Sequence, residues 1–310
     1  MQARVCANLE AMLDGPTWRV ALPAILMLGS FLGSHLAAQS DLVAATAEVN
    51  GTHLFYEVVG HGDPLVLISG GGSLDRRMWD DQFQQFARYY QVIRYDIRGL
   101  GQSEIPREPY SPSEDLNQLL EFLHITRAHV VGVSLGARLA IDFALEHPEK
   151  VITLIAASPG ISGYSDDNQL VRSLQTLASA ARLEGVEEAL QIVLSNPYLP
   201  QDPTVKAKMS QILLENPQVF YLGFPTVALM NSLDPPALGR LGQIGSPTLV
   251  IAGSLDHESI HDIADILAKE IPGARKVLIA GARHMVNMEK PAQFNQTVLD
   301  FLSDVTDRLE

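Results

Sequence analysis

The feature that most constrains this chain is a serine between two glycines, Gly132-Val133-Ser134-Leu135-Gly136, which ends a β-branched run and opens a helix-forming run. A serine on so sharp a strand-to-helix turn lies in a strained region of backbone conformational space. Because glycine has no Cβ, Gly132 and Gly136 remove the clashes that other residues would cause there. The turn therefore predicts an exposed Ser134 hydroxyl beside a helix N-terminus, although a Ser/Gly turn without chemistry would carry the same five residues.

Composition limits the number of domains and the class of partner. The 310 residues are 46% hydrophobic and 19% charged, which suits one large domain with an insertion, or at most two domains. The formal net charge of −14 disfavours a nucleic-acid partner, because such a partner requires a basic face. Cys6 is the only cysteine in the sequence, so we expect no disulfide framework and no thiolate metal site. We also predict no cofactor. The oligomeric state stays open.

The first 45 residues predict a targeting segment. Residues 20–40 carry no charged side chain if His35 is neutral, and small residues follow at Ala37-Ala38 and at Ala45-Thr46-Ala47, an A-x-A cleavage pattern. We expect a cleaved signal peptide and export to the periplasm or the medium, with translation starting at Met1 or Met12. The alternatives are a retained membrane anchor, since about 20 uncharged residues can span a bilayer, and a buried helix. Membrane contact is expected only if the leader is retained.

From about Ala45 onward the sequence alternates between strand and helix patterns. Residues 48–58 predict a hairpin with Asn50-Gly51 at its turn. Strand–helix alternation predicts an α/β fold with a doubly wound, mostly parallel sheet and with site residues at the carboxyl ends of its strands. The predicted strands are 65–68, 91–95, 128–133, 151–156, 248–252 and 276–279, and the predicted helices are 76–89, 113–123 with Ser113 as its cap, 137–146, 260–270 and 292–302.

The alternation stops between Ser158 and Gly245. Helical spacing continues there over 166–183, 185–194, 203–214 and 217–230, with no strand-like run. An all-helical insertion between two strands predicts a cap over the carboxyl edge of the sheet, since the segment is too long for one crossover. The predicted organisation is a leader at 1–45, a core formed by 46–158 and 246–310, and a helical cap at 159–245.

Two further polar residues follow predicted strands. Asp256 comes after the strand at 248–252 and His284 after the strand at 276–279, so both should lie at the same sheet edge as Ser134. A serine hydroxyl needs a base that an acid orients, and the chain order Ser, Asp, His suits this fold. Of the nine histidines, His284 alone occupies a loop just past the last strand. An alternative role for Asp256 is the N-cap of the helix that begins near Glu258.

A competing metal motif lies beside the predicted acid. The segment His257-Glu258-Ser259-Ile260-His261 matches H-E-x-x-H, in which two histidines one helical turn apart bind zinc. Ala264 stands where the metzincin extension has glycine, and the later residues Glu270 and Glu289 are poorly placed as a third ligand. We therefore predict no metal site.

Five motifs follow one another along the chain: the glycine loop 69–73, the D-x-R-G-x-G-x-S loop 96–103, the serine turn 132–136, and the segments 253–256 and 281–291. Together they resemble those of the α/β-hydrolase superfamily with a helical cap, over residues from about Thr46 to Leu302. Within that superfamily, the chain looks similar to 3-oxoadipate enol-lactonases and small carboxylesterases. In relatives the D-x-R-G-x-G-x-S loop braces the sheet edge, so the resemblance implies a structural role for Asp96, Arg98 and Ser103.

The resemblance implies an oxyanion hole of two backbone N–H donors. Leu135, just after the serine, is expected to supply one, and the loop after the strand at 65–68 the other. Relatives usually carry His-Gly where this chain has Ser69-Gly70. Alignment from the strand side makes Gly71 the donor, whereas alignment back from the following segment makes it Gly72, and both stay open.

The predicted activity is a serine esterase or lactonase acting on a small molecule. Ser134 would attack the carbonyl, His284 would transfer the proton and Asp256 would hold the imidazole. Relatives that are haloalkane dehalogenases or epoxide hydrolases use aspartate at the turn, so the serine argues against their chemistry. The alternatives on the same residues are a C–C bond hydrolase, a cofactor-free haloperoxidase, an aminopeptidase, or a ligand-binding receptor that retains the fold without turnover. Trp79, Tyr164, Phe224 and Met285 are candidates to line the acyl pocket, although such apolar residues are more often plain core.

Overall fold

The computed structural model describes residues 42–70, 73–164 and 176–309, with the side chains of 222–225, 308 and 309 left out. These residues belong to one compact unit, Ser40–Glu310. Nearly all of the predicted leader lies outside the described residues, so the signal peptide stays a prediction. Among the residues described, no helix has both the length and the apolar character needed to cross a bilayer.

An eight-stranded sheet forms the centre of the molecule, in the order β1-β2-β4-β3-β5-β6-β7-β8. β1 and β2 pair antiparallel, as do β2 and β4, and every other pairing is parallel. Both faces of the central strands are buried, and this explains their continuous apolar runs. The predicted doubly wound α/β fold is confirmed. The strands are β1 (Val43–Val49), β2 (Thr52–Val59), β3 (Pro64–Ile68), β4 (Gln91–Tyr95), β5 (Ala128–Val133), β6 (Val151–Ala157), β7 (Thr248–Gly253) and β8 (Arg275–Ile279).

The hairpin of β1 and β2 turns at Asn50 and Gly51, whose φ angles of 46° and 67° suit the tight turn that Asn-Gly favours. β1 begins at Val43, which pairs with Val58, so the predicted boundary at residues 45 and 46 is wrong by about three residues. The small residues of this edge strand give little alternation, and the sequence pattern therefore missed its start. The A-x-A pattern at 45–47 also lies inside β1.

The helices flank the sheet and agree with the predicted ones to within a few residues at most ends. The N-cap residue of α2 differs from the predicted one, since it is Ser111 and not Ser113. The Ser111 hydroxyl accepts a hydrogen bond from Glu114 N at 3.1 Å, and Pro112 occupies the first helical position. The core helices are α1 (Asp80–Phe86), preceded by a 3₁₀ turn (Arg76–Trp79), α2 (Pro112–Phe122), α3 (Leu135–Glu146), α8 (Glu258–Glu270), α9 (Val286–Glu289) and α10 (Pro291–Leu309).

The described residues between β6 and β7 form helices joined by loops and contain no β-strand, in agreement with the predicted cap. The first predicted helix, 166–183, is described only from residue 176. The cap helices are α4 (176–183), α5 (Val186–Ser195), α6 (Pro203–Glu215) and α7 (Gln218–Ala228).

The chain enters and leaves the cap at one place. The Ser162 hydroxyl accepts a hydrogen bond from Ala237 N at 2.9 Å, and the Ser162 carbonyl accepts one from Leu238 N at 3.1 Å. A Cβ on Gly163 would lie 2.7 Å from the Pro236 Cβ, so the two crossings pack directly on each other. The cap is therefore inserted through a single paired crossing.

The loop 96–103 packs at the end of β4 through buried polar contacts. Arg76 Nη1 lies 2.8 Å from Asp96 Oδ2, and the Ser103 hydroxyl donates to the Asp96 carbonyl at 2.6 Å. Arg98 binds Asp115 through two nitrogens. Burial raises the pKa of Asp96 to about 6, although the charge of Arg76 opposes the shift. These contacts are those of a structural brace.

Candidate active site

Ser134 lies at the carboxyl end of β5 in a backbone conformation that few residues other than glycine adopt, with φ 56° and ψ −115°. Its N–H donates to the Ala157 carbonyl at 2.9 Å, which ties the turn to β6. A Cβ on Gly132 would lie 2.1 Å from the Gly136 carbonyl oxygen, and one on Gly136 would lie 2.2 Å from the Ile68 carbonyl oxygen. Both positions therefore require glycine, as the sequence predicted.

The structure brings together the three polar residues predicted from the strand ends. His284 Nε2 lies 2.8 Å from the Ser134 hydroxyl oxygen. On the other side of the ring, His284 Nδ1 lies 3.0 Å from Asp256 Oδ1 and 3.2 Å from Oδ2. The hydroxyl, the imidazole and the carboxylate thus form one continuous hydrogen-bonded row along the carboxyl edge of the sheet.

The Asp256 carboxylate is fully buried and accepts a second hydrogen bond from His257 N at 2.8 Å. Burial alone would raise the pKa of this carboxyl, but the hydrogen bond and the charge of His284, with the His257 N–H, outweigh it and hold the pKa below its ordinary value. Asp256 therefore remains ionised beside the imidazole. A buried carboxylate in this place keeps the ring in one orientation.

His257, not Asp256, is the N-cap of α8, so the alternative role considered for Asp256 is wrong. His257 Nδ1 accepts from Ser259 N at 3.2 Å and lies 2.8 Å from the Ser259 hydroxyl. The first histidine of the H-E-x-x-H match is thus engaged in capping. Within the described ranges, no group of three or more His, Cys, Asp or Glu side chains is placed to hold a metal ion.

The loops that carry Asp256 and His284 are fastened to each other. Leu255 N donates to the Ala282 carbonyl at 2.8 Å, and a Cβ on Gly253 would lie 2.4 Å from that same oxygen. Arg283 pairs with the buried carboxylate of Glu289 through both its backbone N–H and its guanidinium. Sequence reasoning missed this pair, although a glutamate six residues after an arginine beside the predicted base was a usable signal.

The oxyanion side of the site is described in part. Leu135 is the first residue of α3, so its backbone N–H has no intrahelical acceptor. A Cβ on Gly70 would lie 2.4 Å from the Val133 carbonyl oxygen, and this shows that the glycine loop packs against the end of β5. Gly71 and Gly72 lie outside the described residues, and the choice between them stays a prediction. The buried Ser69 hydroxyl, where relatives carry histidine, finds no hydrogen-bond partner among the residues described.

Two cap residues contact these loops, and sequence reasoning missed both. The Tyr198 carbonyl accepts from His284 N at 3.0 Å. Asn216 Nδ2 donates to Asp75 Oδ2 at 2.8 Å, and Asp75 caps the 3₁₀ turn that follows the glycine loop. No local pattern marks either residue, because each contact joins positions far apart in the sequence.

The sequence profile of the Alpha/beta hydrolase family matches residues 65–297, which is most of the chain. The chain belongs to the α/β-hydrolase family. Three further likenesses agree with a hydrolase. It is 29% identical to a 2-hydroxy-6-oxononadienedioate/2-hydroxy-6-oxononatrienedioate hydrolase of Paraburkholderia phymatum, over 86% of this chain and 96% of that one.

Two solved structures of hydrolases superpose closely. The enol-lactonase of Burkholderia xenovorans LB400 has a TM-score of 0.71 and 28% identity, covering 84% of this chain and all of that one. A thermophilic esterase of Thermogutta terrifontis has a TM-score of 0.71 and 25% identity, covering 85% of this chain and 99% of that one. This α/β-hydrolase thus shares its fold with enzymes named for different substrates.

Of the four side chains predicted to line the acyl pocket of this hydrolase, the structure describes three. Trp79 is fully buried and its ring packs against Phe294. The Tyr164 hydroxyl lies 3.3 Å from an Asp262 carboxylate oxygen. Met285 is buried next to His284, and the Phe224 side chain lies outside the described part of the structure. Their role at a pocket stays a prediction.

Proposed function

We propose that this α/β-hydrolase cleaves small carboxylic esters or lactones through an acyl intermediate on Ser134. The observation that carries the proposal is the 2.8 Å contact between the Ser134 hydroxyl and His284 Nε2, with His284 Nδ1 3.0 Å from Asp256 Oδ1. A serine hydroxyl is a weak nucleophile at neutral pH, and a base held by a buried acid activates it.

In the proposed reaction, Ser134 Oγ attacks the carbonyl carbon as its proton passes to His284 Nε2. The carbonyl oxygen becomes an oxyanion that accepts from the Leu135 N–H and from the glycine loop at Gly71 or Gly72. The imidazolium then gives its proton to the departing alkoxide, which stays tethered to the acyl group in a lactone. Water, deprotonated by His284, attacks the acyl-enzyme and releases the acid, and Ser134 recovers its proton.

The likeness to an enol-lactonase and to an esterase supports the choice of bond. Each of these two structures superposes on more than four fifths of this chain, at sequence identities of 28% and 25%. A C–C bond hydrolase is the second candidate, favoured by the 29% identity to a relative whose named substrates are dicarboxylates and not esters.

A fluorophosphonate probe tests the nucleophile. The probe should phosphonylate the Ser134 oxygen, forming a P–O bond as the P–F bond breaks and fluoride and the hydroxyl proton leave, and mass spectrometry should place the adduct on the peptide that contains residue 134. Ser134→Ala should abolish labelling, whereas Ser195→Ala, an exposed cap serine whose hydroxyl binds the Ile192 carbonyl, should label like the wild type. An unlabelled wild type would favour the receptor alternative, and a labelled Ser134→Ala would refute the assignment of the serine.

A substrate panel tests the bond. We expect turnover of short-chain esters and of lactones above that of matched amides and of vinylogous dicarboxylates that break a C–C bond. Exclusive turnover of the last class would replace the proposal with the second candidate.

We also propose that the chain is exported with removal of its leader. Cleavage before Leu42 would leave β1 intact, whereas cleavage after the A-x-A pattern at 45–47 would remove five of the seven residues of that strand. We therefore expect the mature N-terminus, read by mass spectrometry of protein recovered outside the cytoplasm, to be Leu42 or an earlier residue. A full-length chain retained inside the cell would contradict export.

A further inference from the structure

A short loop of the cap, Asn196–Gln201, lies against both loops that carry the acid and the base. It joins α5 to α6, and Tyr198 is near its centre. The Tyr198 carbonyl accepts from His284 N at 3.0 Å. Its ring packs edge-on against the His257 ring, with centroids 4.7 Å apart and an interplanar angle of 75°. One cap residue thus touches the base itself and the direct neighbour of the acid.

The loop is stiffened by its own hydrogen bonds. Tyr198 N donates to the Asn196 side-chain oxygen at 3.0 Å, and Leu199 N donates to the Asn196 carbonyl at 3.1 Å. The Gln201 amide donates to the carbonyls of Asn196 and Leu199, at 3.0 and 2.8 Å. An asparagine that folds its side chain back on the next residues fixes a turn. The hydrogen bonds within the loop therefore fix the direction of the Tyr198 carbonyl independently of its contact with His284.

The two contacts of Tyr198 fix the positions of its neighbours His257 and His284. Tyr198 is 42% exposed, and its ring and its backbone carbonyl make these contacts. Edge-on packing fixes the relative position of two rings, and a backbone hydrogen bond fixes that of two loops. His257 N in turn donates to Asp256 Oδ1 at 2.8 Å. Movement of the loop would therefore be passed to both partners of the Asp256–His284 hydrogen bond.

We propose that Tyr198 is a positioning residue that holds Asp256 and His284 in register, so that the cap aligns the base as well as covering the site. The inference rests on the proposed function of Ser134, His284 and Asp256. The ring acts through His257, and the carbonyl acts on the backbone of His284. No covalent step is added.

Two variants act on the two contacts separately, one by removing the ring and the other by freeing the backbone that directs the Tyr198 carbonyl. Tyr198→Ala deletes the ring, and Asn196→Ala deletes the oxygen that orients Tyr198 N. We expect each to lower kcat about tenfold with KM changed less than about twofold, since small displacements of catalytic groups lower rates strongly. Tyr198→Phe keeps the ring and should restore most of kcat, as should Asn196→Asp, which keeps an acceptor oxygen. Tyr89→Ala is the matched control, because Tyr89 is a tyrosine outside the helical cap that is 56% exposed.

Proton NMR gives a readout that needs no substrate. The His284 Nδ1 proton, shared with the Asp256 carboxylate, should resonate far downfield, and Asp256→Asn should remove the signal and so assign it. We expect Tyr198→Ala to weaken, broaden or shift this resonance, and Tyr198→Phe and Tyr89→Ala to leave it in place. Unchanged thermal unfolding of Tyr198→Ala would show that the fold is retained.

Three results would overturn the proposal. An unchanged kcat in Tyr198→Ala would do so, as would a change confined to KM, which would make Tyr198 a substrate contact. A kcat loss that Tyr198→Phe does not restore would assign the effect to the hydroxyl. The proposed function fails by a different result, activity that survives in Ser134→Ala, so the two failures are distinguishable.

Discussion

Two histidines lie at opposite ends of the sheet and have opposite surroundings. His284 follows β8 at the carboxyl edge, and its Nδ1 faces the Asp256 carboxylate. His129 lies near the start of β5, and its Nδ1 faces the neutral Thr153 hydroxyl at 2.9 Å. Burial lowers the pKa of His129 to about 4. The buried His129 therefore stays neutral at ordinary pH.

The hydrogen-bond partner of a histidine decides which protonation state of its ring is stabilised. A carboxylate beside Nδ1 stabilises an imidazolium, which a general base becomes when it takes a proton. A hydroxyl supplies no compensating charge, and the burial of His129 disfavours the charged form. His129 Nε2 is also buried and finds no hydrogen-bond partner among the residues described. The histidine at the carboxyl end therefore has the partner that the proposed proton transfer requires, whereas the histidine at the amino end has a neutral one.

The largest expected effect comes from neutralising the acid at the carboxyl end. Asp256→Asn should lower kcat about 10³- to 10⁴-fold, because an amide neither stabilises the imidazolium nor holds the required tautomer. Steady-state kinetics on the best ester measure it. Asp265→Asn, which changes an exposed carboxylate on α8 that pairs with Lys276, is the matched control and should change kcat little. A loss below about tenfold in Asp256→Asn would remove Asp256 from the proposed mechanism.

Adding a methyl group to a glycine of the serine turn, at the same end, should lower stability as well as activity. In Gly132→Ala the new Cβ would lie 2.1 Å from the Gly136 carbonyl oxygen, and we expect a loss of about 3 kcal/mol in the free energy of unfolding. Denaturant unfolding measures it. Gly239→Ala is the control, because a Cβ there meets nothing within 4 Å. Equal stabilities of the two variants would contradict the close packing of the turn.

At the amino end the expected effect depends on pH. The folded chain holds the pKa of His129 near 4, below the ordinary 6.5, so the unfolded chain binds more protons between these values. The contribution of His129 to stability is therefore complete above pH 6.5 and is lost as the pH falls towards 4, by up to about 1.4 kcal/mol per pH unit. His129→Val should remove this slope, and urea unfolding at several pH values measures it.

The variant must be compared with the wild type because Asp96 acts in the opposite direction. Its pKa is raised to about 6 in the folded chain, so its contribution favours low pH and is lost as the pH rises through that value. His61→Val, at an exposed position, should keep the wild-type slope. A pH dependence that His129→Val leaves intact would show that His129 does not carry it.

The smallest expected effect comes from the hydroxyl at the amino end. Thr153→Val removes the partner of His129 Nδ1, and we expect a loss of about 1 kcal/mol in the free energy of unfolding. In the His129→Val background the same substitution should cost almost nothing, since the hydroxyl would have no ring to bind. Equal costs in both backgrounds would show that Thr153 acts by packing alone.

Most of the sheet was predictable because buried parallel strands read as continuous apolar runs. β4 and β5 have the predicted bounds, and the Asn50-Gly51 turn was recognised by its chemistry. The start of β1 was not, because an edge strand of alanine and threonine lacks a pattern. The N-cap residue of α2 was predicted wrongly, because Ser111 and Ser113 both lie near the start of the helix. Only the position of Pro112, at the first helical residue, distinguishes the two serines.

The candidate site was predictable as far as strand order fixes it. Ser134, Asp256 and His284 each follow a strand of one parallel sheet, so topology brings them to one edge. The N-cap role of His257 was missed, because the sequence alone does not tell which of two neighbouring polar residues turns back onto the helix. Tyr198 and Asn216 could not be found either, since their contacts depend on how the cap folds over the core.

The single crossing at Ser162 and Ala237 has a consequence for how such a protein can diversify. The two hydrogen bonds there close the cap as a loop whose ends meet, so its length and sequence can vary without changing strand order. A cap exchanged between homologues at these two residues would inherit the intact sheet and its serine turn. If the Tyr198 carbonyl positions the base as we propose, the new cap would also have to present a carbonyl to the backbone of His284, and a graft without that contact should bind a new substrate yet turn it over slowly.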